Sequence, residues 1–265
     1  MKKPLYNELF IRNGGILQHT EQMVLKNSKL AVFGLGGLGG VICEILARTG
    51  VENFIIIDKD VFDISNLNRQ ICATQKSIGK YKTDETEKRL KKINPSIQIE
   101  KHLYVNTSNI NKILNGANLA ILALDETLPC IIISRTCNKY KIPLIEGWAL
   151  PLGNVRVFTE ATPTLEEVYN LPTINRNIES VSEEEEKKLN MQMLMELQKI
   201  KGIEQYYTKE AMELIQQKSI PSFAPMVWLT ACIMSFEAVK VLLKKPEISY
   251  SPKLNLFNPY IFKCN

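Results

Sequence analysis

This sequence lacks most of the features that mark secreted, zinc-stapled, membrane-spanning or nucleic-acid-coating proteins. Its six cysteines, Cys43, Cys72, Cys130, Cys137, Cys232 and Cys264, are scattered through apolar stretches without a single Cys-x-x-Cys pair. That excludes a disulfide framework, argues against structural zinc, and implies a reducing, cytoplasmic setting. Histidine is nearly absent: His19 and His102 stand too far apart in the chain to argue for a metal centre, and each is expected to be structural. Met1-Lys2-Lys3-Pro4 leads into only a short apolar stretch, Leu5 to Ile11, so a secretory signal is not expected. No apolar run approaches bilayer length, and the expectation is a soluble chain with no membrane partner. The net charge of +5 comes from dispersed lysines, with no block alternating basic and aromatic residues. A DNA-binding surface is therefore not expected, and only weak affinity for anionic ligands follows.

What is present is a globular pattern, with 45% hydrophobic residues in a chain of 265, enough to bury a sizeable core. From Leu30 to Gly147 short apolar runs alternate with amphipathic segments, the rhythm of βαβ units around a parallel sheet buried on both faces. Strands are expected at Leu30–Phe33, Asn53–Ile57, Ile97–His102, Leu119–Leu122 and Pro143–Glu146, with helices at Gly39–Thr49, Lys82–Ile93 and Cys130–Tyr140. Too few residues precede Asn154–Phe158 for a crossover helix, so that strand is expected to be antiparallel. After Thr159 the composition changes. Ser182, followed by Glu183–Glu186, reads as an N-cap with carboxylates on the first turn, predicting a helix to about Lys199. A second helix is predicted at Thr208–Lys218, and Pro221 with Pro225 breaks the chain before an apolar helix, Met226–Leu243. Lys253–Asn265 alternates weakly, like closing strands. The predicted fold class is α/β and Rossmann-like: a mostly parallel sheet with helices on both faces, extended by antiparallel strands and a helical crossover insert. One compact domain is expected, with an N-terminal helical arm over 1–28, a nucleotide-binding core over 29–158, a crossover over 159–221 and a C-terminal helix with closing strands over 222–265.

Gly34-Leu35-Gly36-Gly37-Leu38-Gly39-Gly40 follows a predicted strand and opens a helix, and Asp58 ends the next strand. Glycines there let backbone amides approach phosphate oxygens at a helix N-terminus, while Asp58 can accept from ribose hydroxyls. The alternative is that the glycines only permit tight helix-on-strand packing. Gly34, Gly36 and Gly39 alone do not separate NAD from ATP. The following stretch, Asp58 to Gln70, then Gly79-Lys80-Tyr81-Lys82, does so. A dehydrogenase needs a flat nicotinamide pocket, whereas Arg69, Gln70 and Lys82 suit a triphosphate tail. Attack on the α-phosphorus needs fixed donors for departing pyrophosphate and a divalent cation sharing its charge. Arg69 and Lys82 are the expected donors, and Asp125, beyond the strand Leu119–Leu122, is the expected magnesium ligand. Taken singly, Arg69 and Lys82 could be surface cations, and Asp125 the cap of the next helix.

These motifs resemble the ThiF/MoeB/HesA superfamily, relatives of ubiquitin-activating enzymes. The likeness is carried by Gly34–Gly39, Asp58-x-Asp60, Ser65-Asn66-Leu67-Asn68-Arg69-Gln70, Gly79-x-x-Lys82, Asn94-Pro95 and Asp125, in the family's order and spacing, and it extends to Asn154–Phe158 and Ile233–Leu243. The resemblance implies an ATP- and magnesium-dependent adenylyltransferase that activates a carboxylate as acyl-AMP. Gly34, Gly36, Gly37, Gly39 and Asp60 would belong to the nucleotide site, Asp58 would hold the ribose, Asn66, Arg69, Gln70 and Lys82 the phosphates, and Asp125 the magnesium. It also implies a homodimer in which Arg12 of one protomer reaches the nucleotide of the other. Candidate substrates are the C-terminus of a ubiquitin-like or sulfur-carrier protein, or alternatively a small-molecule, peptide or tRNA-linked carboxylate.

Two departures from the family pattern are visible. The zinc-binding Cys-x-x-Cys pairs of many relatives are missing, consistent with a zinc-free branch. Thr159–Pro221, where relatives place a thioester cysteine, contains none, so covalent transfer through an enzyme cysteine is not expected. Cys232 reads as a buried small hydrophobe, and Cys130 stands where relatives often have arginine. Met191, Met193 and Met195 read as ordinary packing, and Trp148 as an acyl-pocket or core residue. The segment Glu183–Lys218 is the expected lid or substrate-recognition element.

Overall fold

A computed structural model describes residues 5–199, 208 and 221–259. The parallel strands form where β-branched and aliphatic residues run without interruption: β1 (Lys29–Phe33), β2 (Asn53–Ile57) and β4 (Leu119–Leu122) bury nearly every side chain. Between them stand α3 (Gly37–Thr49), α4 (Lys82–Ile93), β3 (Gln98–His102) and a single helical turn, α5 (Ile110–Ile113). The N-terminal arm holds α1 (Tyr6–Leu9) and α2 (His19–Asn27). Beyond β4 come α6 (Thr127–Lys139), β5 (Leu144–Ala149), β6 (Gly153–Phe158), α7 (Leu165–Val168), α8 (Glu183–Gln198), α9 (Ala224–Leu242) and β7 (Asn255–Phe257).

The seven strands form one sheet in the order β3-β2-β1-β4-β5-β6-β7. Strands β1 to β5 are parallel, and β6 and β7 extend the sheet antiparallel, as expected for a mixed Rossmann-like architecture. Two apolar layers cover the faces. One contains α3 and α9 residues such as Ile42, Leu46 and Met234, the other α6 to α8 residues such as Ile131, Tyr169 and Met193.

Several element limits differ from expectation for identifiable reasons. Helix α6 starts at Thr127, with Pro129 in its first turn, where the missing amide proton costs nothing. Pro225 likewise lies in the first turn of α9, so that helix begins at Ala224. Strand β5 runs on to Ala149 because β6 pairs with it down to Gly153. The Ser182 hydroxyl accepts from the Glu185 amide, as the N-cap reading predicts. Most of the predicted helix Thr208–Lys218, the end of the closing segment and Cys264 lie outside the described residues.

Helix α9 corrects two further expectations. With 19 residues and a mean hydropathy of 1.4, it has the length and composition to cross a membrane, against the expectation that no run does. Its buried face, with Met226, Val227, Ala231, Met234 and Ala238, packs on α3 and on β5 and β6, and it carries a buried Glu237 that accepts from Ser249. Cys232 is exposed, not buried. It stands on the outer face of α9, four residues from Trp228 and from Phe236, which is 70% exposed.

Candidate active site

The carboxyl ends of β1, β2 and β4 meet at the point where strand order reverses, between β1 and β4, and a cavity of about 660 Å³ opens there. Gly34 follows β1 with φ of +90°, and a Cβ on it would lie 2.3 Å from the Ala123 carbonyl oxygen. Only glycine fits that turn without displacing β4. Gly36 is the N-cap of α3, and it and Gly37 line the cavity. Room remains at Gly36, where a Cβ would find its nearest neighbour, Gln70 Nε2, at 3.7 Å. Gly37 instead admits Val227 of α9, whose Cγ1 would stand 2.7 Å from a Cβ.

Gly39 differs from the sequence expectation. It does not line the cavity, and a Cβ there would sit 1.8 Å from the Gly34 oxygen, so its glycine serves helix-on-strand packing. Gly39→Ala should therefore destabilise the fold by about 3 kcal/mol. Gly36→Ala should change stability by no more than about 0.5 kcal/mol. Urea unfolding of both variants checks the contrast, and equal losses would contradict it.

Asp58, 7% exposed, accepts hydrogen bonds from the Leu35 amide at 2.7 Å and the Asp60 amide at 2.8 Å. Burial pushes its pKa up, against the pull of Lys82 and those amides. The chain then loops back through Phe62 and Gly79, so that Lys82 opens α4 beside the acids. Lys82 Nζ donates to Asp60 Oδ2 at 2.8 Å and lies 4.0 Å from Asp58 Oδ1. Asn66 ends a short helical turn, Ile64–Asn66, capped by Asp63, Arg69 and Gln70 follow it, and all three line the cavity. Arg69 Nη1 donates to the Ser65 carbonyl and to Asn68 Oδ1, while its own carbonyl accepts from Trp228 Nε1 at 2.8 Å. Gln70 is 6% exposed, and its Oε1 has no hydrogen-bond partner among the described residues.

Asp125 is exposed just beyond β4 and makes no hydrogen bond or ion pair to any described residue. It is not the helix cap: Glu126 occupies that position, and the Thr127 amide is taken by Asn190 Oδ1 of α8 at 2.8 Å. That bond places the crossover helix beside the cavity. Cys130, by contrast, is fully buried, and burial drives its thiol pKa well up.

Nearly all the expected residues are thus brought together: Gly34, Gly36, Gly37, Asp58, Asp60, Asn66, Arg69, Gln70, Lys82 and Asp125 share one cavity. Arg12 stands exposed in the helical turn Ile11–Asn13, outside it. The residues sequence reasoning missed are Lys59, the wall Leu103-Tyr104-Val105 after β3, Glu126, and Val227 of α9. Trp148 lines the cavity, as one of its two readings allowed. No group of three or more metal-ligating side chains occurs among the described residues. A lone, unpaired carboxylate fits a magnesium ion carried on phosphates better than an all-protein cage. The glycine-lined helix start fits a phosphorylated ligand, and the unpartnered Gln70 oxygen, an acceptor, fits a hydroxyl or amine donor on the same ligand.

Sheet, loop and cavity define a Rossmann-like α/β protein with its ligand site at the topological switch point. The ThiF family model matches residues 11–264, and the chain belongs to the ThiF family. Molybdopterin-synthase adenylyltransferase of Haemophilus influenzae is 31% identical over 235 residues, covering 84% of this chain and 78% of that protein. tRNA threonylcarbamoyladenosine dehydratase of Bacillus subtilis is 36% identical over 143 residues, 53% of this chain and about half, 54%, of that one. Among solved structures, PaaA superposes with a TM-score of 0.67 at 20% identity, over 97% of this chain and 70% of PaaA. The complex of Escherichia coli MccB with ATP superposes with a TM-score of 0.63 at 22% identity, over 90% and 66% of the two chains. At those identities the two superpositions establish the shared fold.

Proposed function

We propose that this chain is an ATP-dependent adenylyltransferase that activates a carboxylate. The observation that carries the reading is the convergence of Asp58, Arg69, Lys82 and Asp125 on one glycine-floored cavity. A carboxylate oxygen of the substrate attacks the α-phosphorus of ATP, the bond to the β-phosphate oxygen breaks, and acyl-AMP and pyrophosphate result. Asp58 accepts from the ribose hydroxyls. Amides at the start of α3, with Gln70 and Asn66, hold phosphate oxygens, and Arg69 and Lys82 take up the charge that grows on pyrophosphate. Magnesium supplies Lewis-acid neutralisation of the phosphates, and Asp125 is the residue that would hold it. In a homodimer Arg12 of one protomer would add a further cation to the nucleotide site of the other. The five described cysteines are all free thiols, which supports a cytoplasmic setting.

The substrate we favour is the C-terminus of a ubiquitin-like or sulfur-carrier protein, supported by the adenylyltransferase name of the relative that covers most of the chain. A tRNA-linked, peptide or small-molecule carboxylate is the second reading, supported by the dehydratase match. Pyrophosphate release is the test. A Gly-Gly-ended carrier protein should stimulate it, stimulation only by a small or RNA-linked acid would select the second reading, and release with neither would contradict adenylation.

A further inference from the structure

The cations in the nucleotide cavity are all engaged already. Its lining carries Lys59, Arg69 and Lys82 against Asp58, Asp60, Asp125 and Glu126, so the carboxylates outnumber the cations. Lys82 is held by Asp60 and Arg69 by Ser65 and Asn68, while Lys59 Nζ donates to Glu126 Oε1 at 2.5 Å. An incoming phosphate competes with these acceptors for the same N–H protons.

The Lys59–Glu126 pair is placed for that competition. Lys59 follows β2 and Glu126 follows β4, and in the sheet order β1 stands between those two strands. Two inter-strand gaps amount to about 10 Å. The two side chains meet across that gap, and both line the cavity with Gly34, Gly36 and Gly37. The side chains are 59% and 43% exposed, so neither is anchored by packing and either can swing into solvent. Glu126, and to a lesser degree Asp60 and Asp125, hold the Lys59 pKa above its ordinary value, so it stays an ammonium at neutral pH.

Resting on the adenylyltransferase reading, we propose that Lys59 is a further phosphate-binding residue of this site, strapped to Glu126 in the nucleotide-free chain and handed to the triphosphate when ATP enters. The exchange leaves Glu126 as a solvated carboxylate at the rim and converts a cross-cavity ion pair into a charge-assisted contact with the nucleotide. Glu126 is accordingly an antagonist of nucleotide binding, and Lys59 a contributor to it.

Isothermal titration of the full chain with ATP in the presence of a chelator tests the exchange without turnover. Lys59→Ala should weaken metal-free ATP binding about tenfold, the loss of one charge-assisted hydrogen bond. Glu126→Gln should tighten it about threefold by releasing the ammonium, and the double variant should match Lys59→Ala. Lys59→Arg should retain binding to within about threefold, since it keeps the charge. Lys59→Ala that binds as tightly as the unaltered chain, or more tightly, would overturn the proposal. So would a Glu126→Gln gain that persists in the Lys59→Ala background. Failure of the unaltered chain to bind ATP even with magnesium added would instead overturn the adenylyltransferase reading beneath it.

Discussion

Arg69→Ala and Asp125→Ala should each lower the rate of substrate-dependent pyrophosphate release by about 100-fold or more. On the proposed mechanism Arg69 would meet the charge that develops on the departing pyrophosphate and Asp125 would hold the magnesium that shares it, and removing one such preorganised group costs on the order of 100- to 1,000-fold in turnover. Neither side chain is a pillar of the fold. Asp125 is exposed and unpaired, and Arg69 uses its guanidinium only on its own loop, through Ser65 and Asn68. Thermal melting of both variants should thus stay near that of the unaltered chain while kcat collapses. Near-normal rates in both would mean that the chemistry is elsewhere.

The second large effect is on stability and comes from a charge cluster behind the cavity wall. Glu146 and Arg156 face each other across β5 and β6, 2% and 5% exposed, with Arg156 Nε 3.4 Å from Glu146 Oε2. Tyr169 donates to the same carboxylate oxygen at 2.9 Å, and the guanidinium stacks over its ring. Arg156→Met would leave the carboxylate buried without its cation, at a cost of about 3–5 kcal/mol. The pH dependence has a definite sign. Burial raises the Glu146 pKa in the folded chain and Arg156 lowers it, so removing the arginine raises it further. A carboxyl with a raised folded pKa favours the fold below its unfolded pKa, and that support is lost as pH rises through the folded value. The deficit of Arg156→Met should therefore be larger at pH 8 than at pH 5 by urea unfolding, and Glu146→Gln should rescue part of it. A deficit independent of pH would contradict the assignment.

The parallel half of the sheet was legible because β1, β2 and β4 are uninterrupted apolar runs, and their observed limits lie within a residue of expectation. The start of α9 at Ala224 differs from expectation because Pro225 reads as a breaker, although proline is tolerated in a first turn, and α6 likewise starts ahead of Cys130, with Pro129 in its first turn. Exposure on α9 was illegible for a different reason. That helix is apolar nearly all round, so periodicity gives no sign that Cys232 and Phe236 face outward.

The site was legible where spacing carries mechanism. Glycine loop, acid and later cations fall in one order along the chain, and the fold closes them onto one cavity. Gly39 shows the limit of that logic, since one residue type satisfies phosphate approach and tight packing alike, and only the 1.8 Å approach to Gly34 separates them. Lys59 with Glu126, and Glu146 with Arg156, were invisible for want of any local pattern. The first pair joins residues 67 apart, and the second depends on strand register.

A crystal structure of the chain with a non-hydrolysable ATP analogue and magnesium bears most directly on the central claim. The account predicts the ribose against Asp58, the phosphates over Gly36 and Gly37 with Arg69 and Lys82 on the tail, and the cation on Asp125. A nucleotide bound away from that cavity, or a nicotinamide dinucleotide taking the cavity in its place, would contradict it.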